Sequence, residues 1–309
     1  MTDRLRSLTN SLKSLDTERR NDRSRDIDIL NASAIVALIQ QEDAEISAVV
    51  AGALAEIART AELAADAIRG GGRVIYAGAG TSGRLGVLDA AECPPTFGTD
   101  PSQVIGLIAG GDPALRLSRE GVEDNTVAAS RDFTALHPTP RDFVIGIAAS
   151  RRTPYPIQIL KDAKQLGCRT AFLICNEARE LAIAPDVVIA LPVGPEIITG
   201  STRMKSGTAT KMALNMISTT AMALLGKTYG NLMVDLKATS EKLAARSRKI
   251  LMDLLGINFD DADTLLARAS GSVKTAIVMG KRQVEKAEAE RLLSEAGGFV
   301  RRALGEWPT

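Results

Sequence analysis

Apolar positions along the chain fall into two kinds of run. Over residues 44–69 they recur at helical spacing, as Ile46, Val50, Leu54, Ile57, Leu63 and Ile68, until Gly70-Gly71-Gly72 ends the pattern. Five short runs follow, at 73–76, 104–108, 143–147, 170–174 and 187–191, in which nearly every residue is apolar or β-branched. Runs of that length and character predict strands buried on both faces. Between them the spacing predicts helices at 85–91, 114–126, 155–165 and 208–225. This alternation predicts an α/β fold, a doubly wound parallel sheet flanked by helices. Ligands of such sheets sit beyond the carboxyl ends of the strands, where strand order reverses. After about Asp235 the strand signal ends, and the remainder reads as helical with Gly256 and Gly297-Gly298 as punctuation. The expected organisation is an N-terminal arm and helix over 1–43, a sheet domain over 44–237 and a small all-helical region over 238–309.

Composition narrows the function classes. Of 309 residues, 45% are apolar and 24% charged, an ordinary globular balance. Aromatics at 3% argue against a base-stacking platform, and a net charge of +1 supplies no global field for nucleic acid or an anionic membrane. Anion selectivity must then be local. Residues 1–25 have no apolar core and do not read as a secretory signal. The longest uncharged stretch in the apolar helical regions, 212–226, has fifteen residues, short of the roughly 20 a spanning helix needs. Cys93, Cys168 and Cys175, odd in number and widely spaced, read as free thiols of a cytoplasmic protein. His137 is the only histidine, and with no Cys/His cluster a zinc site is not expected. Acid–base chemistry falls to carboxylates, Lys, Tyr or Cys.

Three segments concentrate candidate chemistry at strand ends. The loop Gly78-Ala79-Gly80-Thr81-Ser82-Gly83-Arg84 joins the first strand to a helix. Glycines there let backbone come close to a ligand, and helix-start amides favour an anion. The loop also satisfies G-x-G-x-x-G, but the first acidic residue after the second strand, Asp112, lies 34 positions beyond Gly78, too far for a ribose-binding partner. A second hydroxyl-bearing turn, Ala148-Ala149-Ser150-Arg151-Arg152-Thr153-Pro154, follows the third strand. The third segment runs from Glu196 through Thr199-Gly200-Ser201-Thr202 to Lys205, Ser206 and Thr208. It is either a binding loop or a helix start capped by Ser206 or Thr208. Two carboxylates stand out: Glu92, before Pro94-Pro95 on the helix behind the first turn, and Glu123, on the helix expected over 114–126.

Together these stretches resemble one family, the N-acetylmuramic acid 6-phosphate etherases, built on the sugar isomerase (SIS) fold. The likeness is carried by IYAGAGTSGRLGVLDAAECPPTFG, GLIAGGD, EGVED, GIAASRRTPY, GPEIITGSTRMKSGTATKMALNM, YGNLMVDLKATSEKL, KTAIVM and GGFVRRAL, with Thr17-Glu18 and Asn21 in the arm. The resemblance implies loss of the D-lactyl ether from C3 of the sugar, giving N-acetylglucosamine 6-phosphate and D-lactate. Removal of the C2 proton from the open-chain sugar lets the C3 oxygen leave once protonated, and water then adds, so the resemblance implies one acid, one base and no metal, nucleotide or other cofactor. By the same likeness Glu92 is the acid, Glu123 the second catalytic carboxylate, and Ser82 and Ser150 the phosphate ligands. Gly80, Thr81, Gly83, Thr153, Glu196, Ser201 and Thr202 are further binding candidates, and a homodimer is implied, with neighbouring chains closing the site. An aldose–ketose isomerase or a non-catalytic sugar-phosphate-binding regulator would share the phosphate turns but release no lactate. Arg151 stands where the family usually has glycine; at positive φ an arginine is strained by roughly 1–2 kcal/mol. Its charge is otherwise available to the phosphate or the lactyl carboxylate. Ser240, in place of the usual asparagine, is a milder departure.

Overall fold

The computed structural model describes residues 15–236 and 240–307. The first fourteen residues of the arm and the expected division at 237/238 lie outside the described residues. The chain forms two compact units, Met1–Ala90 with Ser102–Ser218, and Ala91–Pro101 with Thr219–Thr309.

The first unit is built on five parallel strands, β1 (Val74–Gly78), β2 (Val104–Ile108), β3 (Phe143–Ile147), β4 (Arg169–Ile174) and β5 (Val187–Ala190), in the order β2-β1-β3-β4-β5. Every strand lies within two residues of its predicted run, because β1 and β3 are buried along their whole length and carry no polar alternation to misread. The order makes the sheet doubly wound. The chain leaves β1 toward β2 on one side and returns to β3 on the other, so the switch point lies between β1 and β3. Gly78 pairs with Ile147 across that boundary, and the turns after both strands therefore emerge side by side.

Helices depart from expectation in instructive places. The amphipathic stretch 44–69 is divided between α1 (Ala32–Ala44), α2 (Ile46–Ala51) and α3 (Leu54–Arg69), the last two parting at Gly52 and Ala53. Helix α4 (Gly80–Phe97) starts inside the glycine-rich loop and contains Pro94 and Pro95, which were expected to stop it. Both prolines occupy its last turn; Gly98 N–H closes on the Pro94 carbonyl at 3.0 Å, and Gly98, at φ +63°, turns the chain away. The helix expected over 114–126 does not form. Instead there is a single turn, α5 (Pro113–Arg116), then a 3-10 turn at Val122–Asp124, then α6 (Thr126–Thr134). Gly121, at φ +82°, interrupts the run, and the Asn125 side chain accepts from Ala128 N–H to start α6 afresh. Glu123 thus sits on a loop turn, not on a helix. Helices α7 (Pro154–Leu166) and α8 (Lys205–Leu224) lie close to their predicted places. Ile75, Val144, Ile159, Leu160 and Phe172 form the centre of this unit's core.

In the second unit a two-stranded hairpin, β6 (Thr228–Tyr229) and β7 (Leu232–Met233), precedes α9 (Glu241–Leu255), α10 (Phe259–Arg268), α11 (Val273–Arg282), α12 (Lys286–Glu295) and α13 (Val300–Ala303). Its own core gathers Leu251, Ala276, Ile277 and Val278. Ser240 accepts from Leu243 N–H and caps α9, a role serine fills as well as asparagine. Cys93, Cys168 and Cys175 are buried thiols outside any disulfide.

Candidate functional site

A cleft of about 230 Å³ opens at the carboxyl ends of β1 and β3, at the switch point. One wall is the first turn: Ala79, Gly80, Thr81, Ser82 and Arg84 line it. Because α4 begins at Gly80, its first amides have no partner within the helix and face the space where an anion would lie. Gly83 is fully turned inward. A Cβ there would stand 2.7 Å from Ile108 Cγ1 and 2.8 Å from the Gly78 oxygen, so this glycine brings helix against strand and does not line the cleft.

The second wall is Ala149, Ser150 and Thr153. The Ser150 and Thr153 hydroxyls are 3.3 Å apart, and Arg152 N–H reaches Ser150 Oγ at 3.4 Å. Arg151 takes φ +59°, the strained alternative anticipated for it. Its side chain is 5% exposed and points away from the cleft, donating from one terminal nitrogen to the carbonyls of Glu177 (3.0 Å) and Arg179 (2.6 Å). Its charge is therefore not available to a bound phosphate.

The remaining lining comes from Ser118–Glu123 and from two segments distant in sequence. Arg84 ties the first of these down, donating to the Leu115 and Leu117 carbonyls at 3.2 and 3.5 Å. Glu123 and Arg119 face the cleft and have no hydrogen-bond or ion-pair partner among the described residues. Glu120 is engaged by the Ser118 hydroxyl at 2.7 Å. Gly200 and Thr202 complete the rim, together with Glu18 of the arm. Neither Arg119 nor Glu18 belongs to a local motif of recognisable chemistry, which is why residue-by-residue reading passes over them as binding groups.

Three other expected site residues lie outside this cleft. Glu92 is exposed, ten residues beyond Ser82 on the same helix, and is not among the lining residues. Ser201 stands between two lining residues without lining the cleft itself. Glu196 is 0% exposed: one carboxylate oxygen accepts from Lys205 N–H at 2.9 Å and the other from Ser206 N–H at 3.0 Å. It caps α8 from nine residues upstream, doing what Ser206 or Thr208 was expected to do.

Behind the first turn lies a buried acid. Asp89 of α4 accepts from the Tyr76 hydroxyl (2.9 Å) and the Ser218 hydroxyl (3.0 Å). Burial pushes its carboxyl up to about 6, against the pull of those two donors and of the Lys211 charge. No group of three His, Cys, Asp or Glu among the described residues is placed to hold a metal ion.

With this geometry in view, comparison with known proteins decides the family. The N-terminal SIS domain of glucokinase regulatory protein matches residues 56–164. An N-acetylmuramic acid 6-phosphate etherase of Rhodopirellula baltica is 50% identical over 96% of this chain and 98% of its own. The chain belongs to the N-acetylmuramic acid 6-phosphate etherase family. A second etherase, from Geobacillus thermodenitrificans, is 47% identical over 95% of this chain and 99% of its own. Among solved structures, a phosphoheptose isomerase from Neisseria gonorrhoeae covers 60% of this chain and 95% of its own, with a TM-score of 0.44 and 16% identity. The etherase relatives match the chain through both units, including the helical one beyond the SIS match.

Proposed function

We propose that this etherase-family chain cleaves the D-lactyl ether of N-acetylmuramic acid 6-phosphate by elimination and water addition, in the cytoplasm, as a homodimer. The observation that carries the reading is the cleft at the switch point, where helix-start amides and four hydroxyl side chains face an unpartnered carboxylate, Glu123. The 6-phosphate lies against Thr81, Ser82, Ser150 and Thr153. Glu123 takes the C2 proton of the open-chain sugar. The C3–O bond then breaks with a proton delivered to the departing lactyl oxygen, C2=C3 forms, and water adds its oxygen at C3 and a proton at C2. Arg119, on the same loop as Glu123, is the cation available to the lactyl carboxylate.

Glu92 supplies the departing oxygen's proton. It is exposed, and the reading assigns it to the neighbouring chain's site, in line with the dimer that the family likeness implies. Helix α1 and the residues before it support self-association: Val36 is 64% and Ile29 80% exposed, with Leu30 beside them. No helix among the described residues is long and apolar enough to cross a membrane.

The test is incubation with N-acetylmuramic acid 6-phosphate in deuterated water, following D-lactate and deuterium at C2. Absence of lactate rejects the reading. Glu92→Gln is expected to slow lactate release more than C2 exchange, and equal loss of both rejects the acid assignment. Mixing Glu92→Gln with Glu123→Gln chains is expected to restore part of the activity neither has alone. No recovery places both glutamates in one chain's site.

A further inference from the structure

The arm brings a third carboxylate to the cleft. Its seat is built from buried polar contacts: the Asn176 side chain accepts from Asp16 N–H at 3.0 Å and donates to Thr17 Oγ1 at 3.3 Å and to the Ala149 carbonyl at 2.8 Å. Thr17 is wholly buried, and its carbonyl accepts from Gly200 N–H at 3.2 Å. These contacts hold the following residue, Glu18, at the rim beside Gly200 and Thr202. Gly200 makes room for it. A Cβ added there would stand 3.2 Å from Glu18 Oε2, and the backbone is at φ +78°, where glycine alone is unstrained. Glu18 is half-buried, and its carboxylate has no hydrogen-bond or ion-pair partner among the described residues.

We propose that Glu18 is a specificity-determining residue that accepts hydrogen bonds from the hydroxyl or amide N–H groups of the sugar body. An ionised carboxylate only accepts, and one held in a cleft without a protein donor is matched by a ligand that brings donors. A phosphate near neutral pH brings mostly acceptor oxygens, together with a negative charge that the carboxylate repels. The first and second turns offer donors to an anion, whereas Glu18 repels one, and the cleft is polarised between them. A ligand with a phosphoryl group at one end and a neutral, donor-rich body at the other satisfies both walls; a bisphosphate fails at the Glu18 wall. The inference rests on the cleft's being the sugar-phosphate site and adds which part of the ligand the arm reads.

Calorimetry on the full chain with two probes, N-acetylglucosamine 6-phosphate and inorganic phosphate, separates the possibilities. Glu18→Gln is expected to weaken the sugar phosphate by about tenfold or more, the effect of removing a charge-assisted hydrogen bond. Inorganic phosphate should bind the variant as well as the parent or somewhat better, because one repelling charge is gone. In turnover the loss should fall mainly on KM. An equal loss for both probes, or for neither, overturns the assignment, as does a fall in thermal stability that accounts for the binding loss. Glu18→Asp, which keeps the charge but shortens the reach, should recover inorganic phosphate exclusion without recovering sugar affinity. If the parent binds the sugar phosphate yet releases no lactate from N-acetylmuramic acid 6-phosphate, the etherase reading fails while the Glu18 comparison still decides its own case. If the parent binds neither probe, the cleft is not the sugar-phosphate site and the Glu18 assignment falls with it.

Discussion

The two turns at the switch point reach one end by different means. The first is made of backbone. Gly78 and Gly83 let the opening turn of α4 press onto β1, and helix-start amides supply the donors. The second is made of side chains. Helix α7 opens Pro154-Tyr155-Pro156, so two of its first three positions have no N–H to offer, and the donors facing the cleft are the Ser150 and Thr153 hydroxyls. The second turn also holds Arg151 at φ +59°, offset by its two hydrogen bonds to the Glu177 and Arg179 carbonyls. A backbone anchor tolerates loss of a side chain but not an added atom, and a side-chain anchor does the reverse.

The largest effect should follow from adding one carbon to the first turn. Gly83→Ala forces contacts inside 3 Å with Ile108 and the Gly78 oxygen, and is expected to destabilise the fold by about 3 kcal/mol, read by chemical denaturation. A change under about 1 kcal/mol would show that the helix start is looser than this comparison requires. Next is the acid behind that turn. Asp89 titrates near 6 in the fold against about 3.9 when unfolded, so its contribution is fully present below pH 4 and is lost as pH rises through 6. The stability difference between parent and Asp89→Asn should therefore shift by about 2–3 kcal/mol between pH 4 and pH 7, with the variant gaining at the higher pH. A pH-independent difference would place the carboxyl's titration elsewhere.

The hydroxyls come third. Ser150→Ala should weaken inorganic phosphate more than Ser82→Ala does, by roughly tenfold against a few-fold, because amides remain at the first turn when its hydroxyl is gone. The reverse order would mean that the first turn, not the second, depends on its hydroxyl to hold phosphate. The smallest effect is expected from Arg151→Gly, which relieves the left-handed strain and loses two hydrogen bonds, for a net change within about 1 kcal/mol and no change in phosphate affinity. Weaker phosphate binding in that variant would mean that the guanidinium acts on the cleft after all.

The same contrast explains what could be read from the chain. Strands β1 to β5 were legible because burial on both faces leaves runs of apolar residues with sharp ends, and the turn at Gly78–Arg84 was legible because its donors are consecutive. Arg151 could be flagged because a side chain at a glycine position announces either strain or a new contact. The helix carrying Glu123 was misjudged: Gly121 takes a left-handed conformation, and the apolar spacing through 114–126 does not register that break. The capping of α8 by Glu196 was not legible, because its two partners, Lys205 and Ser206 N–H, lie across a loop whose path no local pattern reveals. Glu18 and Arg119 reach the cleft only through tertiary packing, and an isolated charge on a polar segment carries no sign of where that packing places it.

Asn176 joins the arm to the second turn across about half the chain, its amide oxygen accepting from Asp16 and its amide nitrogen donating to both Thr17 and Ala149. During synthesis the arm leaves the ribosome long before the residue that will hold it exists. The rim of the cleft can close only after β4 has taken its place in the sheet, so ligand binding competence should be among the last properties the nascent chain acquires.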